Sequence, residues 1–318
     1  MNFDEFVCYA KEHILDLDPE LKEKAKVKVS SYLKNNGKRV TALSIFEGDS
    51  NVSPTIRLED HFECYMDGKS LYDCMDDMLS IYREYRLGEF DISCYIDDFE
   101  RAAPHLIIKL LGIEKNKEML EKMPHYVFGD LAVTFSICIR DKFGKGGIAV
   151  TNSIFEGWGI DIEKMLEAAF NNMQENDSVV IFPFDPISIM ESRNERMCRG
   201  IPDIEEGYPY ILSNIDGIFG ASSLLRLDIL QSFADKSGHN IYVLPLSIDE
   251  CLLIQDDGKS EAETLRQILS DINRDVNPQE YVLSNSVYYY DRKHHQLSNS
   301  ACSHPMILMK AGENYEAG

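Results

Sequence analysis

Four stretches bring side chains with chemical capacity close together. In "SIDE", Ser247, Asp249 and Glu250 fall within four positions, and paired carboxylates do acid–base work when burial splits their pKa values. In "GIFGASSLL", Ser222 and Ser223 stand between a strand-like run and a helix-like run, where free backbone N–H groups and a helix dipole attract anions. "VYYYD" puts Tyr288 and Tyr290 on one face of a strand and Tyr289 on the other, a surface able to hold a peptide or ligand. "DRKHHQLSNSACSH" holds Asp291, His294, His295, Cys302 and His304, all metal ligands by type.

Each has a plainer use. Adjacent acids at a hairpin turn commonly face water. A serine ahead of a helix is an ordinary N-cap, and the motif is not the G-x-S-x-G of a nucleophile elbow. Tyrosines on a strand usually pack in a core. Adjacent histidines on a strand point to opposite faces, and zinc ligand spacing is missing, so neither a metal nor a cofactor is expected. "KFGKGG" lacks phosphate-loop spacing and precedes a second strand, which makes it a hairpin loop. His13, His61, His105, His125 and His239 are scattered, and a catalytic triad is recognised only by geometry. Catalytic residues are therefore unassigned. Ser222, Ser223, Asp249, Glu250, Tyr288 and Tyr290 stand as binding candidates.

The positioning elements follow from periodicity. Phe3, Phe6, Val7, Ala10 and Ile14 recur at helical spacing. "AKVKVSSYL" and "RVTALSIF" flank an Asn-Gly step, a strong hairpin signal. In "SNVSPTIRLEDHFECY", Pro54 opens a short edge strand and Asp60 is placed to cap a short helix. Ser70 and Asp73 resemble a capping box for a helix whose core stripe is Leu71, Cys74, Met75, Met78, Leu79 and Tyr82. Residues 91–123 read as helical. "DLAVTFSICI" and "GIAV" flank a glycine-rich turn and precede a helix bearing Met165 and Ala169. "IYVLPLSI" and "ECLLIQ" are adjacent strands, and Ser260 with Glu263 caps a helix bearing Leu265 and Leu269. Two strands in hairpin relation followed by an amphipathic helix thus recur three times. That is α+β architecture, with antiparallel pairing. The expected divisions are an N-terminal helix, hairpin and helical region over 1–125, an α+β region with two hairpin–helix units over 126–292, and a flexible tail over 293–318.

Composition narrows the setting. A chain of 318 residues, 44% hydrophobic and 27% charged, suits one large or two ordinary globular domains. The eight cysteines include no C-x-x-C pair, which fits a reducing cytoplasm. No apolar run approaches the ~20 residues that cross a bilayer. A net charge of −22, spread along the chain, repels nucleic-acid phosphates and anionic lipids. Partners are thus expected among proteins or peptides, not nucleic acid or membrane, and the oligomeric state is not readable.

Several stretches together resemble DUF5688, an uncharacterised bacterial family of unknown function. They are "NNGK…TALSI", "NVSPTIRL", "EKNKEMLEKMPH", "DLAVTFSI", "WGIDIEKMLEAA", "YILSN…FGASSLL", "IYVLPLSIDE" and "VLSNSVYYYDR". The resemblance implies a stand-alone intracellular protein and carries no activity, cofactor or catalytic residue. Relatives tend to have a His in the place of Asp249 and a Tyr-Pro pair where Leu225, Arg226 and Leu227 stand here.

The first functional expectation is a non-catalytic protein- or peptide-binding module, because short strands leave open edges. One alternative is a hydrolase with its site near the proline-rich segment 183–209. Another is an acidic inhibitor of a basic protein.

Overall fold

Alternating Val and Lys, an Asn-Gly step and a second β-rich run build the first ladder. Strand β1 (Ala25–Leu33) pairs antiparallel with β2 (Arg39–Glu47), from Ala25↔Glu47 to Leu33↔Arg39. The turn closes because Asn36 and Gly37 take positive φ, 61° and 71°, a region that Asn and Gly enter at least cost. The computed structural model describes all residues except 51, 87–91, 142–143, 176–178, 185–199, 260, 301–304 and 311–318. The chain divides into two compact units, Met1–Ala102 with Cys138–Ile148, and Ala103–Ile137 with Ala149–Gly318.

The first unit opens with α1 (Phe3–His13). Its start is a reciprocal capping box: Asn2 Oδ1 accepts from Glu5 N at 2.9 Å and Glu5 Oε2 accepts from Asn2 N at 2.9 Å. Asp18 caps α2 (Pro19–Lys24). The hairpin follows, then β3 (Ile56–Arg57), α3 (Leu58–Met66), α4 (Leu71–Tyr85), α5 (Ser93–Ile96) and α6 (Phe99–Ala102). The sheet order is β1-β2-β3. Cys74, Met75, Met78, Leu79 and Tyr82 of α4 are buried in one cluster with Leu43, Ile45, Ile56 and Phe6. Each such Leu, Ile, Phe or Met contributes about 1.5–3 kcal/mol by leaving water. Asp60 is not the cap of α3. That helix starts at Leu58, so Asp60 sits inside its first turn beside Glu59, and Glu59 Oε1 instead accepts from Thr41 N at 2.7 Å.

The second unit takes in β4 (Leu106–Gly112), α7 (Lys117–Leu120) and β5 (Tyr126–Phe128). Strand β6 (Leu131–Asp141) begins in this unit and from Cys138 belongs to the first, as does β7 up to Ile148. Strand β6 pairs with β7 (Gly144–Ala149), the expected hairpin, in which Gly144–Gly147 are strand and not turn and residues 142–143 lie outside the described ones. Then come α8 (Asn152–Trp158), α9 (Ile162–Glu175), β8 (Val179–Pro183) and β9 (Tyr210–Asn214). A 3-10 segment Gly220–Leu225, α10 (Leu227–Ser237), β10 (Ile241–Leu244), β11 (Cys251–Gln255) and α11 (Ala262–Asp275) follow. The described chain ends with β12 (Tyr288–Asp291), β13 (Gln296–Asn299) and β14 (Leu308–Lys310). One sheet has the order β13-β12-β10-β11-β9-β8 and another β14-β5-β6-β4, with β7 on β6. Neighbouring strands along both of these orders pair antiparallel.

The protein is α+β. Hairpin β1–β2 precedes α3 and α4, β6–β7 precedes α8 and α9, and β10–β11 precedes α11. Two readings change. Residues 106–112 are not helical: "LIIKLLG" pairs with β6 from Leu106↔Ile137 to Gly112↔Leu131. Short continuous apolar runs suit either element, and here pairing with β6 decides. The polar segment read as a tail supplies β13, on β12, and β14, on β5. Ser260, expected as a cap of α11, lies outside the described residues.

Candidate functional site

Strands β5 and β6 meet through Gly129 and Asp130, with Phe128 opposite Leu131. Gly129 has φ 63°, which the tight connection requires. The Asp130 carboxylate accepts three hydroxyls. Oδ2 receives Ser284 Oγ at 2.5 Å and Ser286 Oγ at 3.0 Å, and Oδ1 receives Tyr288 OH at 2.8 Å. Tyr288 is fully buried. Burial first, then the Asp130 charge, hold its phenol pKa well above the ordinary value.

The loop carrying these serines is fixed by α11. Asn273, itself buried, donates to Ser284 O at 3.0 Å and Asn285 Oδ1 at 2.8 Å. Asn277 donates back to Asn273 Oδ1 at 2.9 Å, and Gln279 to Asn273 O at 3.0 Å. The loop passes close to the end of β4, where a Cβ on Gly112 would lie 2.5 Å from Leu283 O. Between these parts is a half-enclosed cavity of about 330 Å³, lined by Gly112, Ile113, Lys115, Asp130, Val282 and Leu283 among others. Asp130 has no ion-pair partner among the described residues.

The expected binding residues are arranged differently. Ser222 and Ser223 are buried in the 3-10 segment, whereas α10 starts at Leu227. They are therefore not at its N-terminus, and the anion-site reading based on that position does not hold. Ser223 Oγ donates to Ser213 O at 3.0 Å. Ser213 Oγ donates to Asp249 O at 2.7 Å, and Asp249 Oδ1 accepts from Phe219 N at 2.7 Å. Phe219 has φ 52°, a left-handed conformation unusual for a bulky residue. Its ring lies under Lys109 Nζ, 4.7 Å from the centroid. Ser213, Ser223 and Asp249 thus fasten the β10–β11 connection to the segment after β9. Glu250 lies in that connection, and its carbonyl accepts from Ser247 N at 3.1 Å. Tyr288 and Tyr290 share a buried face, as the alternation implies. They serve separate partners, because Tyr290 OH donates to Gln231 Oε1 at 2.8 Å.

A second, more open hollow of about 650 Å³ lies at the C-terminal end of α10. Arg292 is tied there to Asp235 at 2.8 Å and Gly238 O at 3.2 Å, as a cation at a helix C-terminus favours. His294 pairs with Asp291 at 2.8 Å. Cys302 and His304 lie outside the described residues, among which no group of three His, Cys, Asp or Glu side chains gathers to hold a metal. Of the proline-rich stretch 183–209, residues 185–199 are likewise outside them.

In the first unit, β1 is an edge strand, and among the described residues no strand pairs with its outer side. Lys26, Lys28 and Ser30 are exposed along one face, and Val27 and Val29 pack toward the core. Neither lysine has an ion-pair partner among the described residues. From Lys24 to Arg39 the chain has no acidic residue, in a protein of net charge −22.

Sequence reasoning missed Asp130 and the β1 edge as sites. Asp130 stands at the start of a strand-like run with no spacing to mark it, whereas the lysines alternating in "AKVKV" were visible. Among the described residues, an α+β protein thus carries a basic strand edge on β1 and a cavity walled by the Asp130 carboxylate. The chain belongs to DUF5688, a family of unknown function, whose model matches residues 3–292. No curated protein and no solved structure matches it.

Proposed function

We propose that this protein is a non-catalytic cytoplasmic module that binds an extended acidic segment of another protein by strand addition along β1. The observation that supports this is the nine-residue edge strand with Lys26 and Lys28 exposed on it. An open edge offers a row of backbone donors and acceptors to an incoming strand. Lysines on an edge oppose pairing with a second basic edge. Two copies joined through β1 would set like charges side by side, whereas a strand with alternating acids would place opposite charges across the ladder. Such cross-strand pairs contribute about 0.2–1 kcal/mol each. The cytoplasmic setting rests on cysteines that are free at 8, 64, 74, 94, 138 and 251. The overall acidity opposes nucleic acid as a partner.

A hydrolytic reading has less support. Ser284 donates directly to Asp130 with no imidazole between them, so the orienting and proton-accepting parts of a triad are not assembled there.

The test is fluorescence anisotropy of a labelled peptide alternating Glu and Val, against one alternating Lys and Val. The acidic peptide is expected to bind more tightly, to weaken with salt, and to slow amide exchange over residues 25–33. Lys26→Glu with Lys28→Glu should abolish the preference. Equal binding of both peptides, or protection confined to other segments, would sink the proposal.

A further inference from the structure

The Asp130 cavity lies in the second unit and does not depend on the β1 edge. A partly buried carboxylate is normally matched by a cation or a metal, since an unmatched charge is costly away from water. Asp130 is matched by hydroxyls alone. A carboxylate has about four acceptor positions. Two on Oδ2 are taken by Ser284 and Ser286, and one on Oδ1 by Tyr288. One position on Oδ1 remains for a further donor. Ile113, Val282 and Leu283 supply apolar lining, and Gly112 and Gly129 bring backbone close. A volume of about 330 Å³ is at the small end of ligand pockets, which span roughly 300–1,000 Å³.

From this geometry we infer that the cavity binds a small primary amine with an apolar body, its ammonium group donating to Asp130 Oδ1. The three hydroxyls and the Asn273 contacts hold the carboxylate in place before the ligand arrives, which lowers the ordering cost of binding. The overall field of a chain with net charge −22 draws cations toward it. A divalent metal is a poorer occupant. Calcium takes six to eight oxygen ligands, commonly from several carboxylates, and Asp130 already spends three acceptor positions on hydroxyls. Of the other charges in the lining, Glu114 is paired with Lys117 at 2.7 Å, whereas Lys115, exposed and without an ion-pair partner among the described residues, weakens a cationic ligand.

Calorimetric titration of the full chain with phenethylamine, and with phenethyl alcohol as the neutral isostere, tests this. The amine is expected to bind at least about tenfold more tightly, equivalent to about 1.4 kcal/mol. Asp130→Asn should erase that difference. Because Asp130 also anchors the 284–288 segment, Lys115→Glu carries the test independently. It alters an exposed side chain, reverses the charge beside the site, and should tighten amine binding several-fold while leaving the alcohol unchanged. Equal affinity for amine and alcohol, no saturable amine binding, or no response to Lys115→Glu would overturn the inference.

Discussion

Ser284 Oγ donates to Asp130 Oδ2 at 2.5 Å across a sequence separation of 154 residues. This bond joins the turn between β5 and β6 to the loop that leads into β12. The same carboxylate holds Ser286 and Tyr288, so one side chain fixes the path of a whole loop.

The first expectation follows from that hub. Hydrogen bonds to a charged group stabilise by about 1.5–3 kcal/mol, and removing one partner leaves the other groups desolvated. Ser284→Ala is expected to destabilise by about 1–2 kcal/mol. Asp130→Ala strands three hydroxyls and is expected to destabilise by about 3 kcal/mol or more. The double variant should lose less than the sum, with a coupling on the order of 1 kcal/mol. Urea unfolding of the four proteins checks this, and strictly additive losses would contradict the hub.

Close backbone approach gives a second expectation. A Cβ on Gly220 would lie 2.5 Å from Asp249 O and 2.7 Å from Asn214 N, and one on Gly112 would lie 2.5 Å from Leu283 O. Gly112→Ala and Gly220→Ala should each destabilise by about 1–3 kcal/mol, the range for overpacking. Gly157, inside α8, has open space around its Cβ position. Gly157→Ala should stabilise by about 0.5–1 kcal/mol through helix propensity. Thermal melting of the three variants would show opposite signs.

The third expectation concerns acid. Glu47 accepts from Tyr82 OH at 2.7 Å and from Arg86 Nη1 at 2.9 Å, and pairs with Lys24 at 3.0 Å. The Tyr82 hydrogen bond, chiefly, holds its pKa below the ordinary 4.5. A depressed carboxyl contributes stability that is fully present above the unfolded value and lost as pH falls through the folded one. The contribution of Glu47 is therefore present above pH 4.5 and disappears in the window beneath it. Urea midpoints measured from about pH 7 to about pH 3 should fall less steeply for Glu47→Gln than for the parent. Parallel curves would assign the acid sensitivity to other groups.

Local order was legible where a short-range pattern has a single solution. The stripe from Cys74 to Tyr82 is the buried face of α4. "AKVKVSSYL" is β1 to the residue. The Asn-Gly step turns the chain, and Gly238 ends α10 at φ 79°. Where two solutions compete, local pattern was not enough. "LIIKLLG" could enter a helix or a strand, and β6 decided it. Ser222 and Ser223 look like caps from their position before a helix, yet the 3-10 segment intervenes and buries them.

The sequence alone determined the α+β class and the three hairpin–helix units, because periodicity and turn chemistry act over a few neighbouring residues. Tertiary structure decided the cavity and its carboxylate. A hydrogen bond between Asp130 and Ser284 depends on two distant backbones meeting to within a fraction of an ångström, and no spacing along the chain encodes that meeting.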